Sequence, residues 1–305
     1  MLLDVDIEKA KEEEKYDVIE KQLHILDKVK HQNIVRQFYH WVTDDSHLKI
    51  IAEHLPCLTL EFMIKACGGK LSLDLTKFYT VEIVKALSYL KKDQVVHRDL
   101  KPRNIMLDQA FHPKLVGFDC AVSKSNHHTK MLYKEARNTL KQHKGDFSEQ
   151  IGEIEVELAE EFDTSESKSM KTVSKSSGQI GTLPYMSPEM LCFKVASHEA
   201  DVWALGCLVY QCLFGEPPFK GDDVVSDIKN CKFEFPEDFD SDAKDFIESC
   251  IKINPFERIG SGSKGLGKTL LSHPFLQGIE HEDIDDLTPP VPEEAVEEIN
   301  SKVLG

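Results

Sequence analysis

From Ile7 to Val29 the apolar residues Val18, Ile19, Leu23, Ile25, Leu26 and Val29 recur among charges at helical spacing, which predicts one amphipathic helix. Two β-branched and aromatic runs follow, IVRQFYHWV and HLKIIAEHL. The TDDS between them supplies turn chemistry, so the pair predicts a hairpin. Leu75, Phe78, Val81, Val84, Leu87 and Leu90 again fall near helical spacing and predict a long helix buried on one face. Further on, DVWALGCLVYQCLF is nearly all apolar and reads as a buried helix closed by the turn GEPPF. A short strand-containing front ahead of mostly helical sequence predicts an α+β protein of two unequal lobes.

The pattern lapses between residues 124 and 178. DFSEQIGEIEVELAEEFDTSE, from Asp146 to Glu166, holds nine acids and no base, and a Ser/Thr-rich stretch follows it. Such composition buries too little apolar surface to offset the entropy of ordering, so this segment is read as a disordered insertion.

Composition narrows the class. The chain has 305 residues, 37 Lys+Arg against 53 Asp+Glu and a formal net charge of −16, enough length for one large or two modest domains. The acidic balance argues against a nucleic-acid partner, which needs a basic face to release counterions, and against anionic membranes. No run approaches the eighteen apolar residues of a membrane span, and the start MLLDVDIEKAKEEEK lacks a signal-peptide layout. The expectation is a soluble, cytoplasmic protein. Eight scattered cysteines without a C-x-x-C pair read as reduced, packed thiols. No histidine pair, His127-His128 included, stands out at metal-ligand spacing.

The strongest chemical signal is His97-Arg98-Asp99-Leu100-Lys101-Pro102-Arg103-Asn104. Phosphoryl transfer to a hydroxyl needs a carboxylate to accept or orient the hydroxyl proton, a ligand for magnesium and a cation beside the moving phosphoryl group. Asp99, Asn104 and Lys101 supply these at fixed offsets.

On these residues the chain resembles the eukaryotic protein kinases, and the likeness runs from about residue 4 to 290. Gly181-Thr182-Leu183-Pro184-Tyr185-Met186-Ser187-Pro188-Glu189 resembles the family's P+1 loop with its closing glutamate. Asp201 in DVWALG corresponds to the aspartate that braces the catalytic loop, and Arg258 in NPFERIG to the arginine that pairs with Glu189. HPF at 273–275 is similar to the AGC group. Within that group FYTVEIVKALSYL, DVWALGCLVYQCLFGEPPF and LTPP most resemble the phosphoinositide-dependent protein kinases. The resemblance implies a two-lobe fold: a partial N-lobe over 1–55 (third strand, C helix and hairpin), a complete helical C-lobe over 56–290 carrying the 124–178 insertion, and an acidic tail over 291–305. It implies ATP and Mg²⁺ as cofactors, with Glu53, Leu55 and Asn104 as nucleotide contacts and Asn104 on the metal. Arg98, Thr182, Glu189, Asp201 and Arg258 are implied as structural residues. In the family a phosphorylated residue docks on the arginine here numbered Arg98; Ser177, beside the equivalent position Gly178, is a candidate.

The departures fall on the nucleotide side. The first glycine is Gly68, so no glycine-rich loop precedes it, although only glycine lets backbone N–H groups approach phosphates that closely. Either the sequence begins late or the roof over the nucleotide is missing. Asp4 falls within a residue of the phosphate-gripping lysine, Gln22 replaces its glutamate partner, and Gly117-Phe118-Asp119 stands where the family has Asp-Phe-Gly. Asp119 is displaced by two residues, several ångströms of chain, so metal ligation through it would need a slip in register. Each aimed charge in such a site is worth about 2 to 4 kcal/mol, and the losses predict weak or absent catalysis.

Gly262-Ser263-Lys264-Gly265-Leu266-Gly267-Lys268-Thr269 matches the P-loop letter by letter, but a P-loop bridges a buried strand and a long helix, and the flanking sequence supports neither. Two functions stay open: a serine/threonine kinase acting on protein, with HRDLKP typical of that branch, or a pseudokinase that binds a substrate or an active partner kinase. No lipid-binding module is visible.

Overall fold

The computed structural model describes residues 1–44, 46–123, 182–193, 197–262, 265–279 and 281–303. The expected 124–178 insertion, with His127, His128, Ser177 and Gly178, lies outside the described residues. The described chain is an α+β kinase-like fold with a partial set of N-lobe strands.

Strand β1 (Leu2–Asp6) leads into α1 (Ile7–Glu12), capped by the Asp6 carboxylate accepting from the Lys9 N–H; α2 (Tyr16–Leu26) follows. The single helix expected over 7–29 is therefore two. Glu12, Glu13 and Glu14 crowd negative charge at a helix end already rich in unpaired carbonyls, and Glu14 turns the chain at φ 56°. Strands β2 (Gln37–Val42) and β3 (His47–Ala52) form an antiparallel hairpin, and β1 pairs the other edge of β3, giving the order β1-β3-β2. Residues opposite each other share a face, so Leu3 with Ile50 and Val5 with Leu48 form one side of the sheet. That side meets Leu23 of α2 and Ile7 in a small separate core.

The large lobe is mostly helical. α3 (Leu60–Ala66) and α4 (Leu73–Lys92) come first, each with a side-chain N-cap, Thr59 and Ser72. α4 is buried on more than the one face expected: Thr76, Thr80 and Glu82 are sealed along with the apolar stripe, because other elements pack around it. Two short antiparallel ribbons follow, β4 (Val95–Val96) with β7 (Val122–Ser123), and β5 (Ile105–Leu107) with β6 (Pro113–Leu115). Together they frame the loop 97–104 and the turn 116–121. After the undescribed stretch come α5 (Pro188–Phe193), α6 (His198–Phe214), α7 (Val224–Lys229), α8 (Ser241–Cys250), α9 (Leu266–Leu271) and α10 (Glu293–Val303). α6 starts on the Ser197 side-chain cap and stops at Gly215, whose φ of 98° glycine adopts without strain.

Trp203 of α6 stacks on Phe219 at 5.4 Å within one continuous core that also takes in Ile25 and Leu26 of α2. The residues expected as an acidic tail include α10, whose Ala295 and Ile299 are buried and which packs against α3. Among the described residues no helix is long and apolar enough to cross a membrane. Cys207, Cys212 and Cys250 are buried, and burial pushes the Cys212 thiol up to about 12.

Candidate functional site

The HRDLKPRN residues occupy the loop between β4 and β5. Arg98 has φ 68°, a conformation that costs a non-glycine residue about 1 to 3 kcal/mol unless its surroundings enforce it. Enforcement comes from Asp201, in the first turn of α6: its buried carboxylate accepts the His97 N–H at 2.9 Å and the Arg98 N–H at 2.8 Å. His97 is fully buried, with its ring edge-on to Phe118 at 4.8 Å. Its Nδ1 accepts the Asp99 N–H at 3.3 Å. The ring proton therefore sits on Nε2, which donates to the Val116 carbonyl at 2.9 Å. The Arg98 guanidinium donates Nε–H to the Cys120 carbonyl at 2.6 Å, while Nη1 is buried without a partner among the described residues. Burial pulls its pKa below the usual arginine value.

Asp99 is the hub. Its carboxylate accepts from Lys101 Nζ at 2.6 Å, Asn104 Nδ2 at 2.6 Å and Thr182 Oγ1 at 3.1 Å. Lys101 also bonds Thr182 Oγ1, so lysine, threonine and aspartate close a ring linking the loop to the residue that re-enters the described chain. Asn104 Nδ2 makes a second bond to the Asp99 carbonyl at 2.8 Å.

The other side of the site is differently furnished. Gly117 has φ 73° and ψ 55°, and a Cβ there would lie 2.7 Å from Asn104 Cγ. The space a side chain at 117 would need is filled by the asparagine amide, turned onto Asp99. Asp119 is exposed. Among the described residues no three His, Cys, Asp or Glu side chains gather where they could hold a metal. Magnesium is usually held by one or two carboxylates with phosphate oxygens. Glycine at 117 supplies no carboxylate, and Asn104, its Nδ2 bonded to Asp99, has only its amide oxygen to offer, so the residues present do not fit a magnesium nucleotide.

The β1 register separates two neighbours that the sequence left within one residue. Asp4 faces away from α2, bonded to Lys49 Nζ and, at 2.7 Å, to His47 Nδ1; the lysine bond comes first among the causes that lower its pKa. Leu3 is the residue on the α2 side. Gln22 is half-buried on α2 and Glu20 is exposed. Neither neighbour in β1 offers a cation toward α2. Glu53 accepts from the Arg36 N–H at 3.1 Å and pairs with Lys114 at 2.8 Å, and Leu55 is buried.

Below the loop lies a second constellation. Arg258, 1% exposed, donates to both Glu189 oxygens at 2.6 and 2.7 Å and to the carbonyls of Glu199, Lys252 and Ile253. All five guanidinium donors are engaged, with the Trp203 ring 5.1 Å away. The P-loop-like run ends in a six-residue helix, α9, and no strand is found among the described residues just before it. Sequence reasoning missed the Lys114–Glu53 tie and the Cys120 and Val116 carbonyls that anchor Arg98 and His97; backbone acceptors leave no mark in the letters.

A family model described as the protein kinase domain matches residues 4–141 and 158–276. The human "3-phosphoinositide-dependent protein kinase 1" is 30% identical over 226 residues, 73% of this chain and 33% of that protein. The Dictyostelium discoideum "3-phosphoinositide-dependent protein kinase B" is 30% identical over 290 residues, 93% of this chain and 26% of that protein. The Arabidopsis thaliana "3-phosphoinositide-dependent protein kinase 1" is 28% identical over 274 residues, 87% of this chain and 47% of that protein. The chain thus spans a quarter to a half of the length of these relatives.

Proposed function

The chain belongs to the protein kinase family, within its AGC group, and from that premise we propose that it is a serine/threonine kinase-like domain whose phosphoryl transfer is weak or absent. The observation that carries this reading is Gly117: the position where the family places its magnesium carboxylate has no side chain, and the Asn104 amide fills the space. Asp4 and Gln22 support it from the small lobe: among the described residues β1 turns no lysine toward α2, and Gln22 stands where the resemblance places a glutamate. In this reading the protein works as a pseudokinase, presenting its large lobe to a protein substrate or to an active partner kinase.

One observation favours a second reading, an active serine/threonine kinase. Asp99, Lys101 and Thr182 retain the arrangement an acceptor hydroxyl would meet, with Asp99 as base. A transfer assay from magnesium ATP to Ser/Thr peptides, run on the wild type beside Asp99→Asn, separates the two. The proposal expects equal, background-level incorporation. Turnover that disappears in Asp99→Asn establishes the active kinase instead.

A further inference from the structure

Away from the catalytic loop, an ionisable side chain is sealed into the large lobe where the segment 30–36 crosses α4. Glu82 is 1% exposed and Asn33, on the crossing segment, 2%. Asn33 Nδ2 spends one hydrogen on Glu82 Oε1 and the other on the Pro113 carbonyl, both at 3.0 Å, which fixes the orientation of the amide. His112 Nδ1 lies 2.9 Å from the same Glu82 oxygen. Two acceptors are left over, Asn33 Oδ1 and Glu82 Oε2, both buried and without a donor among the described residues. Leaving an ionised oxygen and an amide oxygen unpaired in a dry site is costly for both.

We propose that Glu82 carries a proton on Oε2 and donates it to Asn33 Oδ1, closing a two-bond amide–acid ring that clamps the 30–36 crossing to α4 and that opens as pH rises. One proton satisfies both orphan atoms, and His112 completes the set by donating Nδ1–H to Oε1. Burial is the largest influence and pushes the Glu82 carboxyl up to about 7. His112, from the turn before β6, opposes it, and Asp285, from the turn at 284–286, adds to it while ion-paired with Lys85 of α4. Tyr79, one turn earlier on α4, is buried and held neutral. His31, on the crossing segment near Lys85 and Lys114, is pulled toward its neutral form by burial. The crossing is also tied by Leu115 N–H to the Asn33 carbonyl at 2.8 Å and Val35 N–H to the Leu115 carbonyl at 3.0 Å, so loosening Asn33 reaches the ribbon that frames the catalytic loop.

The sign follows from linkage. A carboxyl whose folded pKa is raised binds its proton more tightly folded than unfolded, so its stabilisation is complete below about 4.5 and is lost as pH climbs through about 7. Glu82→Gln replaces the acid O–H with an amide N–H and keeps the ring without titrating. Urea unfolding of both proteins from pH 5 to 8.5 should show the wild-type folding constant falling relative to the variant, by up to about tenfold per pH unit inside the window, then levelling off. Hydrogen-exchange protection of Val35 and Leu115 should fall over the same range in the wild type alone. Infrared spectra of the wild type should carry a carboxylic-acid carbonyl band at pH 6 that is gone by pH 9, a readout that does not depend on the variant folding. A pH-independent ratio, unchanged protection or no acid band overturns the proposal. So does a ratio that falls on acidification, the mark of an ionised Glu82 paired with a charged His112.

Discussion

The two sides of the cleft are finished to different degrees. On the large-lobe side Arg258 spends every donor, Glu189 is matched bidentately, and Asp201 holds the strained backbone at Arg98. On the small-sheet side Asp4 faces away from α2, Gln22 is half-buried on α2, and Gly117 supplies no carboxylate. The first set is buried inside the fold, where a lost partner leaves an uncompensated charge. The second would act only on a bound nucleotide, so its loss costs the fold little. In the proposed reading the chain keeps the architecture of a kinase while the side that would hold ATP lapses.

The sharpest way to break this comparison is Arg258→Ala, which strands Glu189 in the core. It should cost about 3 to 5 kcal/mol, read as a lowered urea midpoint. Gly117→Asp asks whether the lost carboxylate can be put back. A non-glycine residue at φ 73° and a Cβ against Asn104 should lower stability by about 1 to 3 kcal/mol without creating magnesium binding by calorimetry. Asp4→Ala is the control in the same urea series: half-exposed with Lys49 and His47 on the sheet surface, it should leave the midpoint unmoved. If Asp4→Ala cost as much as Arg258→Ala, the distinction between the two sides would fail.

Much of this was legible in the letters. HRDLKPRN, GTLPYMSPE and DVWALG carry the family and its large-lobe geometry because each packs a buried or strained feature into a short local phrase. The α+β class followed from apolar spacing. Other features needed the folded chain. Asp4 and Leu3 are neighbours in sequence and opposite in space, and only the pairing of β1 with β3 decides which side each faces. Glu82 interrupts the apolar spacing of α4 by one residue; its burial follows from Asn33 and His112, 49 and 30 residues away. The break between α1 and α2 turns on Glu14 adopting a left-handed conformation, to which helical periodicity is blind. The residues read as an acidic tail carry a helix because Ala295 and Ile299 find α3, a tertiary contact that composition does not register.

The account rests on the nucleotide side being unable to hold magnesium ATP. The most direct measurement is the thermal unfolding midpoint of the wild-type chain with ATP and magnesium raised to millimolar levels, each alone and then together. A ligand bound to the folded state at a hundred times its dissociation constant adds about 2.7 kcal/mol of stability, so binding would register clearly. The account predicts no magnesium-dependent rise in the midpoint. A saturable rise that requires both ATP and magnesium would contradict it.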